Sequence, residues 1–276
     1  MNRIWSILFF LVPILGVATF IMAASGIGPL KGAWLPENYA QSGETIDHLF
    51  NVIHLICAAI FISTGTAIGW FVWKFADRGD VNVDTNGKAR KARYIHGNWK
   101  LELLWTVIPG FILLFIAFYQ MNAWSETRLN RPAIEIDGQM VPKPPLVLVK
   151  AKQFGWEFHY AGADQKIHTQ DDLYVENKLV IPDDETIVMQ MESRDVIHSF
   201  FVPKLRLKQD IVPGMTQFAW FTPTGKAKMG IICAELCGWG HSQMKGTLEI
   251  VSRAEFNQYI TELESENRPA ELAENE

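Results

Sequence analysis

The chain has 276 residues, 49% of them apolar and 20% charged, with a formal net charge of −5. It carries no Lys/Arg-rich nucleic-acid-binding signature, which excludes nucleic acid as a partner, and its three cysteines are too few for a disulfide scaffold. The apolar residues crowd into the first 123, so a membrane part and a water-soluble part are expected.

Ile4–Ala24, "IWSILFFLVPILGVATFIMAA", is close to the ~20 residues that cross a hydrocarbon core. Residues 1–24 are expected to form a transmembrane helix or a signal segment. One Arg before the run and the small residues "MAASG" after it fit a cleaved signal, whereas its length favours a retained helix. Asn51–Trp73 and Leu101–Met121 are two further apolar runs, and in lipid each must be helical to satisfy its own backbone. They predict a transmembrane hairpin over residues 45–123. Its loop, residues 74–100, holds Lys74, Arg78, Lys88, Arg90, Lys91, Arg93 and Lys100, while the stretch between the first two runs has Lys31 beside Glu37, Glu44 and Asp47. By the positive-inside rule the basic loop is cytoplasmic and everything after Met121 is outside. A multi-pass protein of the bacterial inner membrane, with its soluble domain in the periplasm, is expected.

Within these runs Cys57 reads as a small core residue. His48, His54 and His96 flank the helices, where interfacial packing is the default. Glu102, in "LELLWTVIPG", lies near the cytoplasmic start of a span. A carboxylate at that depth is either a functional group or an end-of-helix residue snorkelling to water.

After Trp124 the pattern changes. "PLVLVKAKQFGWEFHY", "ETIVMQMES", "MTQFAWFTP", "KMGIICAE" and "GTLEIVS" alternate and are rich in β-branched and aromatic residues, with Gly, Pro and Asp between them. Short strands without intervening helices predict an antiparallel sandwich or barrel over residues 124–254. Residues 254–265 predict a terminal helix, and the Glu-rich end of the 255–276 segment a disordered tail. From Asn122 onward there are 16 Lys+Arg against 23 Asp+Glu, but seven of those acids lie after residue 254, so the β-domain is nearly neutral. His159 and His168 fall outside any ligand spacing and read as surface residues.

The densest chemistry is "CAELCGWGHSQM", residues 233–244, with two cysteines, a histidine and a methionine at offsets 0, 4, 8 and 11. A disulfide would leave His241 and Met244 unexplained. A structural zinc site would leave out methionine, which is not a usual zinc ligand. A mononuclear blue-copper site takes one cysteine, and here there are two. Two thiolates that each bridge two coppers use every ligand: each metal then needs one imidazole and one weaker donor. His241 and Met244 supply one of each, a loop carbonyl can supply the other weak donor, and the second imidazole must come from elsewhere. His198 in "SRDVIHSFF", at a strand end among hydrophobic residues, is the candidate. Sharing one electron between two metals lowers the geometric change at each, so such a centre suits electron transfer.

With these residues in place the chain resembles subunit II of the haem–copper oxidases, typified by cytochrome c oxidase. "CAELCGWGHSQM" fits that family's pattern C-x-E-x-C-x-x-x-H-x-x-M, and "DVIHSFFVPKLRLKQDIVPG" is similar to the stretch carrying its first ligand. The resemblance covers roughly residues 45–255. It implies a membrane-anchored, mainly β protein: a transmembrane hairpin with an extra N-terminal helix or signal, then a cupredoxin-like β-sandwich. It also implies two copper ions on His198, Cys233, the Glu235 carbonyl, Cys237, His241 and Met244, with His198 and Met244 on one copper and His241 and the Glu235 carbonyl on the other. The Glu235 side chain, otherwise a solvated loop carboxylate, would share a magnesium ion with subunit I.

The resemblance further implies that Glu102 marks the mouth of a proton path into subunit I. "KQFGWEF", residues 152–158, is similar to the aromatic stretch where the family receives electrons from cytochrome c. The family's leading tryptophan is replaced here by Phe154. Trp156 remains, as part of that stretch or as sandwich core, and Asp195 matches a docking carboxylate or is a solvated strand-end acid. No C-x-x-C-H occurs, so no c-type haem is attached and a separate carrier, soluble or membrane-bound, must bring the electrons. The expected function is that of a non-catalytic electron-transfer subunit of a proton-translocating cytochrome c oxidase, passing electrons to haem in the catalytic subunit for dioxygen reduction. A nitric oxide-reducing relative would carry the same centre, and a membrane-anchored copper chaperone is the alternative of another class.

Overall fold

The computed structural model describes residues 2–75, 94 and 96–266. Most of the basic loop and the acidic tail beyond residue 266, for which a cytoplasmic position and disorder are expected, lie outside the described residues. The chain divides into one unit of Met1–Leu35 with Asp47–Met121, and a second of Pro36–Ile46 with Asn122–Glu276.

The first unit is helical, with α1 at Asn2–Ser25, α2 at Gly43–Phe75 and α3 at Trp99–Tyr119. All three are long and apolar enough to cross a membrane. Helix α3 starts where it does because the Asn98 side chain accepts hydrogen bonds from the backbone N–H groups of Lys100 and Leu101. Glu102 follows, exposed, in its first turn. Helix α2 begins at Gly43, earlier than the apolar run at Asn51; its 33 residues make a rod of about 50 Å. Leu8, Phe61, Trp70, Phe111, Leu113 and Phe118 point their apolar side chains outward, as lipid or partner helices require. The flanking histidines pack as expected. His54 lies against Phe50 and Trp34, and His48 Nδ1 is 3.1 Å from the Tyr119 hydroxyl. Cys57 departs from expectation: it is exposed on α2 rather than in a core, because that face of the helix meets no protein.

The second unit opens with a short helix, α4 (Met121–Trp124), and one wide turn over Ser125–Leu129. Twelve strands follow: β1 (Ala133–Ile136), β2 (Gln139–Pro142), β3 (Val147–Lys152), β4 (Gly155–Tyr160), β5 (Leu173–Glu176), β6 (Lys178–Pro182), β7 (Ile187–Ser193), β8 (His198–Val202), β9 (Leu207–Ile211), β10 (Gln217–Phe221), β11 (Ala227–Cys233) and β12 (Lys245–Val251). Helix α5 (Arg253–Glu266) closes the described chain. Strands β1 and β2 form a separate hairpin. The others make two five-stranded sheets, ordered β10-β7-β3-β4-β5 and β6-β12-β11-β8-β9. Two pairs, β3 with β7 and β12 with β6, are parallel, and the remaining pairs are antiparallel. The architecture is a β-sandwich.

Alternation builds its core. In "GWEFHY" the side chains of Trp156, Phe158 and Tyr160 point to one face of β4 and are buried with Val149, Met189, Phe200, Leu248 and Ile250. Tyr160 donates its hydroxyl proton to the Val180 carbonyl and accepts from the Val180 N–H, both at 2.8 Å, so the ring is buried without an orphaned polar group. The opposite face of β4 is covered as well. Glu157 is buried there between Lys152 Nζ at 2.8 Å and Arg194 at 2.6 Å. His159 is therefore not a surface residue: it is largely enclosed, 3.6 Å from the Glu157 carboxylate and against Tyr174. Burial and the nearby Lys150 hold its imidazole below the ordinary range.

Residues 36–46, which run into the first turn of α2, also belong to this unit. Ala40 bridges Pro223, the Tyr39 N–H donates to the Lys204 carbonyl at 2.9 Å, and the Thr224 N–H donates to the Tyr39 carbonyl at 3.1 Å.

Candidate metal centre

Strand register assembles the site. Cys233 is the last residue of β11 and stands opposite Phe200 of β8. His198 opens β8 two residues earlier, so it lies on the same face as Phe200, diagonal to the cysteine. Its Nδ1 is 4.0 Å from Cys233 Sγ. The chain then leaves the sheet and returns at Lys245, the partner of Ile232 across β11 and β12. The Cys233 N–H donates to the Met244 carbonyl at 3.3 Å and the Ala234 N–H to the Ser199 carbonyl at 3.0 Å, which pins both ends of the loop. A single tight turn at His241–Gln243 folds the returning half over the cysteines.

The donor atoms converge on two sulfurs. Cys233 Sγ lies 3.8 Å from Cys237 Sγ and 3.2 Å from the Glu235 carbonyl oxygen. Cys237 Sγ lies 3.6 Å from His241 Nδ1 and 3.8 Å from Met244 Sδ. The ligand atoms of His198, Cys233 and Cys237 all fall within 4.8 Å of one another, and all three residues are buried. A disulfide needs sulfurs at about 2.05 Å; both cysteines are free. A single structural zinc uses four donors, and six gather here. Soft thiols and thioether with two imidazoles match copper.

Burial, reinforced by Cys233, pushes the Cys237 thiol up to about 11. Metal binding deprotonates the thiols that hold it, and a cationic metal is the partner that makes thiolates favourable in such a place. On this chemistry the donor set fits the copper centre that the family implies.

Outside the donors, Asp195 fixes the first imidazole. Its Oδ1 accepts from His198 Nε2 at 2.8 Å and from the Val196 N–H at 2.7 Å, and its Oδ2 accepts from the Gln153 N–H at 2.7 Å. Burial raises this carboxyl, but those three hydrogen bonds outweigh it and hold the group below the usual carboxylate range. Nε2 therefore carries the proton, which leaves Nδ1 free to face the sulfurs. Gln153 also donates from Nε2 to the Cys237 carbonyl at 2.5 Å. Its part was not legible in the sequence, since nothing in "KQFGWEF" marks a contact to a loop so far along the chain.

The aromatic stretch divides. Trp156 is 0% exposed, beneath the centre at 6.4 Å between ring centroids from His198 and 5.4 Å from Phe200. Phe154 is half-buried and lies over the ligand loop: a Cβ at Gly240 would fall 2.5 Å from its ring, so only glycine fits there. The Trp239 ring meets Phe154 edge-to-face at 5.3 Å. The Glu235 side chain is exposed.

The chain matches the family "Cytochrome C oxidase subunit II, transmembrane domain" over residues 32–123, and "Cytochrome C oxidase subunit II, periplasmic domain" over residues 119–251. It is 31% identical over 232 residues to the "Probable cytochrome c oxidase subunit 2" of Rickettsia prowazekii, covering 79% of this chain and 67% of that one. It is 26% identical over 263 residues to the "Cytochrome c oxidase subunit 2" of Synechocystis, covering 82% of this chain and 74% of that one. The crystal structure of the periplasmic domain of subunit II of cytochrome oxidase (CoxB) of Bradyrhizobium japonicum shares 25% identity, with a TM-score of 0.41; the match covers 47% of this chain and 100% of that one. Helical and β parts are thus matched together, in the order in which the chain carries them, and the chain belongs to the cytochrome c oxidase subunit II family, a membrane-anchored subunit of an oxidoreductase complex.

Proposed function

We propose that this subunit receives single electrons from a reduced carrier in the periplasm and hands them to haem in subunit I, where dioxygen is reduced to water. His198, Cys233, the Glu235 carbonyl, Cys237, His241 and Met244 would hold two copper ions, which when bound take up and release one electron at a time. The observation that carries this reading is the convergence of two imidazoles, a thioether and a carbonyl on two buried sulfurs.

The protein's part is to hold those donors still. Cys233 and His198 sit on paired strands, Met244 is tied to Cys233 through the backbone, and Asp195 locks the imidazole orientation. A frame that barely moves between redox states keeps the reorganisation cost of electron transfer low. Burial excludes water and leaves no open position for a substrate. It also disfavours a copper chaperone, which needs exchangeable ligands.

Other assignments belong to the same reading. The Glu235 side chain, exposed and oxygen-bearing, suits a magnesium ion shared with subunit I. Glu102, exposed in the first turn of α3, suits the mouth of a proton path. Phe154 and Asp195 lie on the electron-receiving side, with Trp156 behind the ligands. The domain division is residues 1–24, 45–123, 124–254 and 255–276. The protein would lie in the bacterial inner membrane with three spans and its copper domain in the periplasm.

Metal analysis and electron paramagnetic resonance of the purified complex test the proposal. Two coppers per chain and an unpaired electron split by both nuclei are expected. In Cys237→Ser the shared signal should vanish while the sandwich stays folded. One copper per chain, or a signal from a single nucleus, would overturn the reading.

A further inference from the structure

Trp239 has no part in the ligand set, yet it sits between two ligands, two residues from both Cys237 and His241. It is 93% exposed, the highest value among the large exposed hydrophobic side chains of the described residues. A side chain so exposed shields nothing and contributes almost nothing to the core, so its place on the loop is not explained by folding. Its one ring contact is Phe154, which itself lies over the backbone of Gly238 and Gly240. An aromatic pair therefore runs from open solvent to the peptide units beside the sulfurs.

Two further large apolar side chains beside the donors in sequence are exposed. Leu236 is exposed next to Cys237, and Ile197 is exposed next to His198. Asp195, the acid in the His198 segment, has both carboxylate oxygens engaged. The large apolar side chains exposed on these two segments are thus Val196, Ile197, Leu236 and Trp239, beside exposed Arg194, Asp195 and Glu235. A partner meeting Trp239 complements it with apolar surface. Exposed tryptophan with apolar neighbours is also the composition that dominates interface energetics.

We propose that Trp239 is the residue through which the electron carrier makes contact and its electron enters, in place of a tryptophan at position 154. This rests on the copper reading above and names the surface of that same site. The occupant is a one-electron carrier protein that presents its cofactor edge through an apolar rim. In the encounter the carrier loses one electron and the metal centre gains it; no bond forms or breaks and no proton moves. Trp156, being buried, meets no partner and remains part of the packing behind His198.

The test compares the parent oxidase complex with Trp239→Ala and Trp239→Phe, using two reductants. Reduced mitochondrial cytochrome c must dock; hexaammineruthenium(II) is a small ion that need not. In Trp239→Ala, reduction of the centre by cytochrome c should slow by ~10-fold or more, the loss of one interface hot spot. Binding of oxidised cytochrome c, measured by titration, should weaken in parallel. Reduction by the ruthenium complex and the copper resonance signal should be unchanged, and Trp239→Phe should recover most of the rate. Equal cytochrome c rates in parent and Trp239→Ala, with the copper signal intact, overturn the inference and leave the copper reading standing. A changed copper signal in Trp239→Ala also overturns it, by making Trp239 a structural residue. Absence of a two-copper signal in the parent defeats the copper reading itself.

Discussion

Asp195 has both carboxylate oxygens turned inward, on His198 and on the Gln153 and Val196 backbone. A docking acid needs a free oxygen, so these contacts favour a positioning role. Removing the carboxylate in Asp195→Ala frees the imidazole to rotate and to change tautomer, and copper affinity should fall ~10–100-fold. Competition with a chelator, followed by loss of copper absorption, measures this; an affinity unchanged from the parent would return Asp195 to the surface. At this scale the clustered donors were legible because soft-metal chemistry admits few residue types, and four of them lie within twelve residues. Gln153 and Trp239 were not legible. Their parts arise from contacts between the β3–β4 turn and a loop some eighty residues later, and local pattern carries no record of such contacts.

Helix α5 shows the same division one level up. Its start is written locally: Ser252 and Glu255 form a capping box, with the Ser252 N–H donating to the Glu255 carboxylate at 2.8 Å. Lys226, 2.7 Å away, together with Ser252, holds that carboxyl down to about 2, against an ordinary value of about 4.3 for glutamate. A depressed value means the contact stabilises fully above the ordinary range and fades as the pH falls toward 2. The protection of α5 amides against hydrogen exchange, taken relative to their intrinsic rate at each pH, should therefore fall on acidification through that window. High salt should reduce the change, because the pair is exposed, and Glu255→Gln should remove it. The strands follow the rule too. Those with strong alternation, β3, β4, β7, β10, β11 and β12, were expected. In contrast, β1, β2, β5, β6 and β9 are short or charged and owe their extended form to the neighbours they pair with.

For the molecule as a whole, charge asymmetry between loops sets the expected orientation. A cysteine placed at Lys88, in a variant lacking Cys57, should react with a membrane-impermeant maleimide only after the inner membrane is opened, since the basic loop is expected in the cytoplasm. Labelling of intact spheroplasts would reverse the assigned topology. Length and hydropathy made the three apolar helices visible before any coordinates. The attachment of residues 36–46 to the β-domain was invisible, because that stretch has neither apolar periodicity nor strand character and is held by backbone bonds to Lys204, Thr222 and Thr224.

That attachment dictates an order of assembly. The stretch around Ala40 leaves the ribosome before the second and third apolar helices, yet its partners near Pro223 emerge only after both. The early piece must wait, unpaired, until the later one has been made and folded against it. Biogenesis is thereby coupled to completion of the β-domain: a nascent chain stalled midway lacks the seam that joins residues 36–46 to the strand end near Pro223.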